Sequence, residues 1–303
     1  MSSLPLGTTA PSRRESSWRQ ALRWGLFPAV LGAAALASVA IHFNRVDAMA
    51  AQMGVFIVAL LAIVFVERTM PCDARWRQGS AQERRVDLTS WLMLMAVFDP
   101  LLKRVLLPLL VALTVTVANP SGGLGWFPTG LPVALQLLLA AVIAEFGQYW
   151  MHRAAHHGGW MWKVHTMHHS PSRIYLANGF RVNPINMFWH QMSGPLVLML
   201  IGAPTAVIQM LILFSTVVAV FQHANADLRY DGWNRWLATA DLHRWHHAAG
   251  ADAPRVNFGS LLMLWDQLFG TYHRSGTEPS AVGIDGYVEP KGGYLAWLRA
   301  TTI

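Results

Sequence analysis

Long apolar runs limit what this 303-residue chain can fold into. Residues 24–43 form a run interrupted only by His42, and a second run covers residues 53–66. About twenty apolar residues in a helix are enough to cross the hydrocarbon core of a bilayer. Charged residues make up 13% of the chain, about half the share of roughly 25% that is typical of soluble domains. The sequence therefore predicts an all-α, polytopic membrane helical bundle.

Further apolar runs extend this bundle. We expect residues 89–102 to form a helix at the membrane interface, because Asp99, Pro100 and Lys103 interrupt the apolar pattern there. Residues 105–118 then predict a crossing, and residues 131–151 a return. The uncharged segment between these two, "NPSGGLGWFPTG", is rich in turn-forming residues and predicts an outer loop.

A last apolar run, residues 192–222, is broken by Gly202, Ala203 and Pro204. A Gly–Pro break favours a turn, so the run predicts a helical hairpin whose two ends lie on the same side of the membrane. The chain beyond residue 224 is more polar, which predicts a cap of short helices outside the bilayer. We divide the chain into residues 1–130 (membrane helices and a basic loop), 131–275 (one integrated catalytic region) and 276–303 (a C-terminal tail).

Arginines predict the orientation in the membrane. The connector between the first two runs holds only Arg45 against Asp47, whereas the flanking segments are basic. These flanking residues are Arg13, Arg14, Arg19 and Arg23 before the first run, and Arg68, Arg75, Arg77, Arg84 and Arg85 after the second. Because positive loops stay in the cytoplasm, we expect an integral protein of a bacterial inner membrane with its polar cap inside. The segment "SRRESSW" also resembles an export signal, but its apolar run is long and further spans follow.

Net charge and cysteine content exclude some classes of partner. The formal net charge is +7, but a nucleic-acid-binding protein keeps a charged face and is less apolar, so we expect a lipid bilayer and no nucleic acid as partner. Cys72 is the single cysteine, so no intrachain disulfide can form.

Histidines are concentrated in one part of the chain: twelve of the thirteen lie within residues 152–273. They form three clusters whose spacing places the side chains on one face of a helix. The clusters are His152 and His156; His165, His168 and His169; and His243, His246 and His247. Eight aligned imidazoles beside a membrane would be costly to desolvate without partners, so the pattern indicates a metal site.

The number of histidines favours two metal ions over one. A structural zinc site closes with four ligands, often cysteines. No Asp or Glu lies within the three clusters, although hydrolytic sites with two metals usually contain bridging carboxylates. Imidazole alone does not choose between iron, zinc, copper and nickel. Iron and oxygen chemistry is favoured, and a zinc-dependent membrane hydrolase and a metal transporter stay open as alternatives.

The clusters resemble the histidine boxes HxxxH, HxxHH and HxxHH of the fatty acid hydroxylase/sterol desaturase superfamily. The flanking segments "YWMHR", "FQHAN" and "NFGSLLMLWDQLFGTY" are similar as well, and the resemblance covers residues 142–272. It implies a membrane-bound non-haem enzyme with two iron ions that hydroxylates or desaturates a lipid with O2. It also implies His223 of "FQHAN" as a further metal ligand beside the eight box histidines.

One position departs from the family pattern R-x-H-P, because this chain has Asn183 where relatives have histidine. Either Asn183 supports a ligand, or His190 or His157 compensates, or the site is altered. Two carboxylates, Glu145 and Asp241, are further candidates for supporting the ligands. Glu145 lies two helical turns before His152, and we expect it either to accept that ring's second N–H or to form a salt bridge with a neighbouring arginine.

The surroundings of the boxes complete these expectations. Arg153 and Arg244 each follow a box histidine and are expected to point away from the metals, either to meet phosphate headgroups or to snorkel toward the membrane surface. Trp160 and Trp189 are expected, with neighbouring tryptophans, to anchor the chain at headgroup depth. No haem-binding motif, no nucleotide fingerprint GxGxxG and no cysteine set for an iron–sulfur cluster is present in the sequence. We therefore expect no haem, flavin or nicotinamide site in this chain, and a separate electron-donor protein.

Overall fold

A computed structural model describes residues 16–77, 79–106, 108–109, 112, 124–250 and 255–302. Over these residues every regular segment is helical, and the only strand-like pairings are two isolated bridges, Leu237 with Leu262 and Ala248 with Val282. The all-α prediction is therefore confirmed. The α-helices are α1 Ser17–His42, α2 Ala48–Thr69, α3 Ala81–Met93, α4 Val133–Ala155, α5 Gly159–His169, α6 Pro184–Gln191, α7 Thr205–Gln222, α8 Ala240–His246, α9 Leu264–Leu268 and α10 Tyr294–Thr302.

Four of these helices, α1, α2, α4 and α7, are long and apolar enough to cross a membrane. They correspond to the runs expected at residues 24–43, 53–66, 131–151 and the second half of 192–222. Their outer faces carry exposed apolar side chains, such as Leu36 at 74% exposure. A lipid bilayer is the solvent that such a surface requires. The crossing expected at residues 105–118 lies largely outside the described residues.

Helices α1 and α2 are tied to the polar cap on the side of the histidines. Near the start of α1, Arg23 pairs with Asp227, whose own backbone N–H donates to the carbonyl of Met70 just after α2. In the last turn of α2, the Glu67 carboxylate accepts hydrogen bonds from the backbone N–H groups of Leu176 (2.7 Å) and Asn225 (2.9 Å). A carboxylate within an apolar helix is therefore satisfied by the backbone of the polar cap.

The predicted hairpin at residues 192–222 is present. Helix α6 continues through a π-helical segment, Met192–Leu196, and a further turn, Val197–Leu200. The chain then reverses through Gly202, whose φ of 86° favours glycine, and Pro204 into α7. The π segment packs closely against α4, because a Cβ atom added at Gly147 would lie 2.0 Å from the carbonyl oxygen of Ser193.

Helix α3 begins with a capping box formed by Ser80 and Glu83, as its sequence favours. It continues as helix through residue 106, by way of the π-helical segments Leu94–Phe98 and Leu102–Leu106 and the short helix Asp99–Leu101. Residues 89–102, predicted to be an interfacial helix, are thus helical. Buried Arg181 pairs with Asp87 of α3 at 2.6 Å, which fixes α3 to the polar cap. Three short 3-10 helices complete the fold, at Ala74–Arg77, Leu176–Phe180 and Trp233–Arg235.

We predict that Gly147→Ala destabilises the protein, whereas Gly54→Ala does not. The added methyl group at residue 147 collides with backbone of the π segment, and overpacking of this kind costs about 1–3 kcal/mol. Gly54 lies on α2 with no atom within 4 Å of an added Cβ, and alanine favours helix. Thermal unfolding in detergent should show a lower Tm for Gly147→Ala alone. Equal Tm values for the two variants would contradict the packing described.

Candidate metal centre

Nine histidines come together in two groups at the end of the bundle where α4 and α7 finish. Within each group, one ring nitrogen of every histidine lies within 4.8 Å of those of the others. The first group is His152, His156, His165, His169 and His246. The second group is His168, His223, His243 and His247. These are the nine histidines predicted from the boxes and from "FQHAN".

The ends of four helices deliver these side chains. His152 lies in the last turn of α4, the box "HTMHH" ends α5, His223 follows α7, and His243 and His246 lie in α8. The C-terminal end of a helix carries partial negative charge from its free carbonyl groups. Four such ends directed at one region favour the binding of cations there.

Each HxxHH box is divided between the two groups. His165 and His169 belong to the first group, whereas His168, on the same helix, belongs to the second. In the other box, His246 joins the first group and His243 and His247 join the second. The groups meet where the rings of His169 and His247 stack, with centroids 4.1 Å apart. Each HxxHH box therefore supplies histidines to both groups, and neither box forms a group by itself.

Carbonyl oxygens hold four of the rings in a defined orientation, because a ring nitrogen facing a carbonyl must donate its N–H. In every case the donor is Nδ1, which leaves the Nε2 lone pair to face the group. The pairs are His152 with the Phe258 carbonyl (2.7 Å), His165 with Asn186 Oδ1 (2.7 Å), His223 with Asn178 Oδ1 (2.8 Å) and His246 with the Val256 carbonyl (2.9 Å).

The resulting arrangement of lone pairs requires a cation. Nε2 of His152 and Nε2 of His165 lie 3.1 Å apart. Both rings carry their proton on Nδ1, so neither Nε2 has a proton to share with the other. Nε2 of His156 and Nε2 of His246 are buried without any hydrogen-bond partner. Buried polar atoms are almost always paired, so a metal ion is the natural partner of these converging lone pairs.

Burial also sets the protonation of the site. It lowers the pKa of His165, His169 and His247 well below the usual 6.5, and neighbouring histidines lower it further. Burial likewise lowers the pKa of His246 to about 4 and that of His223 to about 3. The rings are neutral near pH 7, and neutral imidazole is the form that binds metals.

The carboxylate of Glu145 supports the histidines indirectly, through the backbone of a loop. The His152 N–H expected to bind it donates to the Phe258 carbonyl instead. Glu145 accepts hydrogen bonds from the backbone N–H groups of Ser260 and Leu261, the second at 2.9 Å. Asp266 accepts from the N–H of Phe258 at 2.8 Å. Together the two carboxylates fix the loop whose carbonyl orients His152.

Asn183, the departure from the family pattern, has hydrogen bonds to a backbone N–H and a threonine and to no histidine among the described residues. Its side chain caps α6, accepting from the N–H of Ile185 at 2.9 Å and donating to Thr301 at 3.0 Å. His190 and His157 are outside the groups. The His190 ring lies 5.6 Å from that of His152, and His157 is exposed.

Two expectations about the surroundings are wrong. Arg244 does not reach lipid headgroups: it is 2% exposed and pairs with Asp241 at 2.7 Å and with Glu278. Asp241 therefore contacts an arginine and Asn234, and no histidine among the described residues. Trp189 is buried and cannot anchor the chain at an interface, whereas Trp160 is exposed.

Comparison with known proteins places this arrangement in a family. The sequence profile described as Fatty acid hydroxylase matches residues 137–271, which include all nine histidines. The ornithine lipid hydroxylase OlsE of Rhizobium tropici is 32% identical over 247 residues, 80% of this chain and 73% of that protein. This chain belongs to the fatty acid hydroxylase family. Its resemblance to the superfamily is thus confirmed.

Other members of the family match a smaller part of the chain. Human alkylglycerol monooxygenase is 29% identical over 42% of this chain and 28% of its own length. The C-4 methylsterol oxidase of Schizosaccharomyces pombe is 26% identical over 49% of this chain and 51% of its own length. No solved structure matches the chain. Members of the family are oxygen-dependent oxidoreductases that use non-haem iron, and this chain is an oxygen-dependent, lipid-oxidising membrane enzyme whose histidine groups can bind metal.

We predict different outcomes for the two asparagines on α6. Asn186→Leu removes the acceptor that orients His165, and loss of such a partner lowers metal affinity by about 10–100-fold. Asn183→Ala removes a helix cap, which costs about 1 kcal/mol of stability but leaves the histidines in place. Competition of each variant with a chelator for Fe2+ measures the difference. Equal iron affinities in the two variants would refute the role assigned to Asn186.

Proposed function

We propose that the nine histidines hold two iron ions and that the enzyme hydroxylates a membrane lipid with O2. The first group supplies five imidazoles to one ion and the second group four imidazoles to the other. The observation that carries this proposal is the convergence of imidazole nitrogens in two adjoining groups that consist only of histidine, with the Nε2 atoms of His152 and His165 facing each other without a proton. Bound iron supplies the O2 activation needed to attack an unactivated C–H bond.

The residues of the chain prepare the site for this reaction. Hydrogen bonds from Nδ1 fix the ring planes, so that the Nε2 atoms need little rearrangement to bind. Nearly complete burial of His165 and His247 excludes water, which would otherwise intercept reactive species. Tyr149 adds rigidity beside the first group, with its hydroxyl 2.9 Å from Thr271 and 2.8 Å from Arg153.

The position of the site supports a lipid substrate that enters sideways from the bilayer. The histidines lie at the ends of two membrane-capable helices, α4 and α7, and we propose that they lie near the depth of the lipid headgroups. The similar proteins are named as hydroxylases or oxidases of an ornithine lipid, an alkylglycerol and a methylsterol. Hydroxylation is therefore favoured over desaturation.

Two other functions are less well supported. A zinc-dependent hydrolase needs a general base, and neither histidine group includes a carboxylate. A metal transporter needs ligands along a span, whereas these ligands gather where spans end. Electrons for O2 reduction come, we propose, from a separate donor protein, because the sequence carries no motif for a second redox centre.

Iron content tests the ligand assignment. The wild type, purified without oxygen, should hold two iron ions per chain. His246→Ala and His243→Ala, one from each group, should each lose iron and activity because an imidazole of one group is missing. His157→Ala is the control, since this exposed histidine lies outside both groups and its loss should leave iron unchanged. Full iron occupancy in both box variants would contradict the assignment.

The same variants test the reaction when expressed in the native host. Aerobic cells that contain the wild type should accumulate a lipid one oxygen atom heavier than its precursor, and a deletion strain should lack it. Complementation with His157→Ala should restore the product, and complementation with His169→Ala should not. An unchanged lipidome, with the protein present in the membrane, would count against lipid hydroxylation.

We further propose that the metal centre faces the cytoplasm, as the arginine distribution predicts. In a Cys72→Ser background, Gln82→Cys near the start of α3 should react with an impermeant thiol reagent only after the cytoplasmic side is opened. Val46→Cys, exposed between α1 and α2, should react from outside. Reaction of the two positions from the same side would disprove this topology.

A further inference from the structure

The C-terminal strap, residues 277–302, lies beyond the region matched by the family profile, yet it crosses the metal centre. It begins beside the box "HRWHH", where Trp245 Nε1 donates to the Thr277 carbonyl at 2.9 Å. Glu278 then pairs with buried Arg244 of α8. The N–H of Ala249 donates to the Ala281 carbonyl at 2.9 Å, and the strap runs alongside the end of α8 from there.

Gly283 is the point of closest contact between the strap and the boxes. Its N–H donates to the carbonyl of His247, a ligand candidate of the second group, at 2.9 Å. Its other face touches the segment after α5, because a Cβ added at this glycine would lie 2.8 Å from the Pro171 carbonyl oxygen. The φ of Gly283 is 107°, a conformation that other residues rarely adopt. Gly283 is thus wedged between the ends of two histidine boxes.

The far end of the strap is attached to the same box helix. Helix α10 packs on α5, where Trp297 and Tyr294 share a buried cluster with Met167, which lies next to His168. Thr301 accepts the hydrogen bond from Asn183 at the start of α6. Because both ends are fixed, the strap cannot shift at Gly283 without disturbing these contacts.

The wedge lies behind the place where the two histidine groups meet. The stacked rings of His169 and His247 belong to different groups. Pro171 follows His169 by two residues, and Gly283 is bonded directly to His247. The distance between the ends of α5 and α8, and with it the convergence of the histidines that both helices supply to each group, is therefore set by how closely the strap fits between them.

We propose that Gly283 is a positioning residue that holds the two box helices, α5 and α8, at the distance at which both metal groups converge, and that the C-terminal strap is a part of the metal centre. This inference rests on the proposed function, because it takes both groups to hold iron. An alanine at residue 283 forces Pro171 and His247 apart, since the atom it meets belongs to the backbone and not to a flexible side chain. The two irons should then lose their close coupling.

The test compares Gly283→Ala with Gly286→Ala, each loaded with Fe2+ and oxidised. Gly286 is the matched control: its φ of 66° also disfavours alanine, but no atom lies within 4 Å of an added Cβ. Iron per folded chain and the magnetic coupling of the ferric pair, from Mössbauer and EPR spectra, are the readouts. We expect the wild type and Gly286→Ala to show two coupled ferric ions. Gly283→Ala should show uncoupled ferric signals and lose at least half of its iron.

Thermal unfolding separates this effect from general destabilisation, and spectra are recorded well below each Tm. If Gly283→Ala does not accumulate as folded protein, Glu278→Gln weakens the strap's contact with Arg244 without adding bulk. It should release iron to a chelator several-fold faster than Gly286→Ala does. Unchanged coupling in Gly283→Ala, or unchanged release in Glu278→Gln, overturns the inference while the proposed function stands. A wild type without iron overturns both.

Discussion

The hydrogen bond from a histidine Nδ1–H to a carbonyl oxygen is the interaction on which the rest of the structure depends. It is made by His152, His165, His223 and His246. It fixes both the tautomer and the plane of each ring, and it leaves the Nε2 lone pairs facing one another without protons. Such a cluster is unfavourable alone and favourable around a cation, so the same bonds that orient the rings make metal binding part of the stability of the fold.

The carbonyl groups themselves must be fixed in position. Buried carboxylates on the membrane-capable helices and in the polar cap do this by accepting hydrogen bonds from the backbone nearby. Glu145 of α4 and Asp266 of α9 bind consecutive backbone N–H groups of the loop that carries the Phe258 carbonyl. Glu67 of α2 binds the N–H of Asn225, two residues after His223. Polar side chains near an apolar bundle are costly unless paired. Here each is paired with the backbone of the loops that surround the metal centre.

Much of the architecture follows from the sequence, because lipid imposes simple rules. Apolar length identified the four spans, and the i, i+3 and i, i+4 spacing brought the nine histidines to one place. The division of each box between the two groups could not be predicted from the sequence. Residues at i+3 and i+4 lie on the same helix face, so the spacing alone does not show which histidine joins which group. The burial of Arg244 was missed because its partners, Asp241 and Glu278, include a residue far along the chain. Contacts of that kind, like those of the C-terminal segment, arise only in the folded chain.

Some of the acceptors that orient the histidine rings are main-chain carbonyls and others are side-chain amides, so the site tolerates substitution at some positions and not at others. Every residue type supplies a carbonyl, so the groups at Val256 and Phe258 that orient His246 and His152 survive substitution of their own side chains. The side chain of Asn186, by contrast, is itself the acceptor for His165, so its substitution removes that hydrogen bond. Substitution of the Val256 or Phe258 side chain should therefore preserve ring orientation as long as the path of the loop after the third box is kept. At Val256 and Phe258 the orientation of the histidine rings thus depends on the path of the backbone and not on the identity of the side chains.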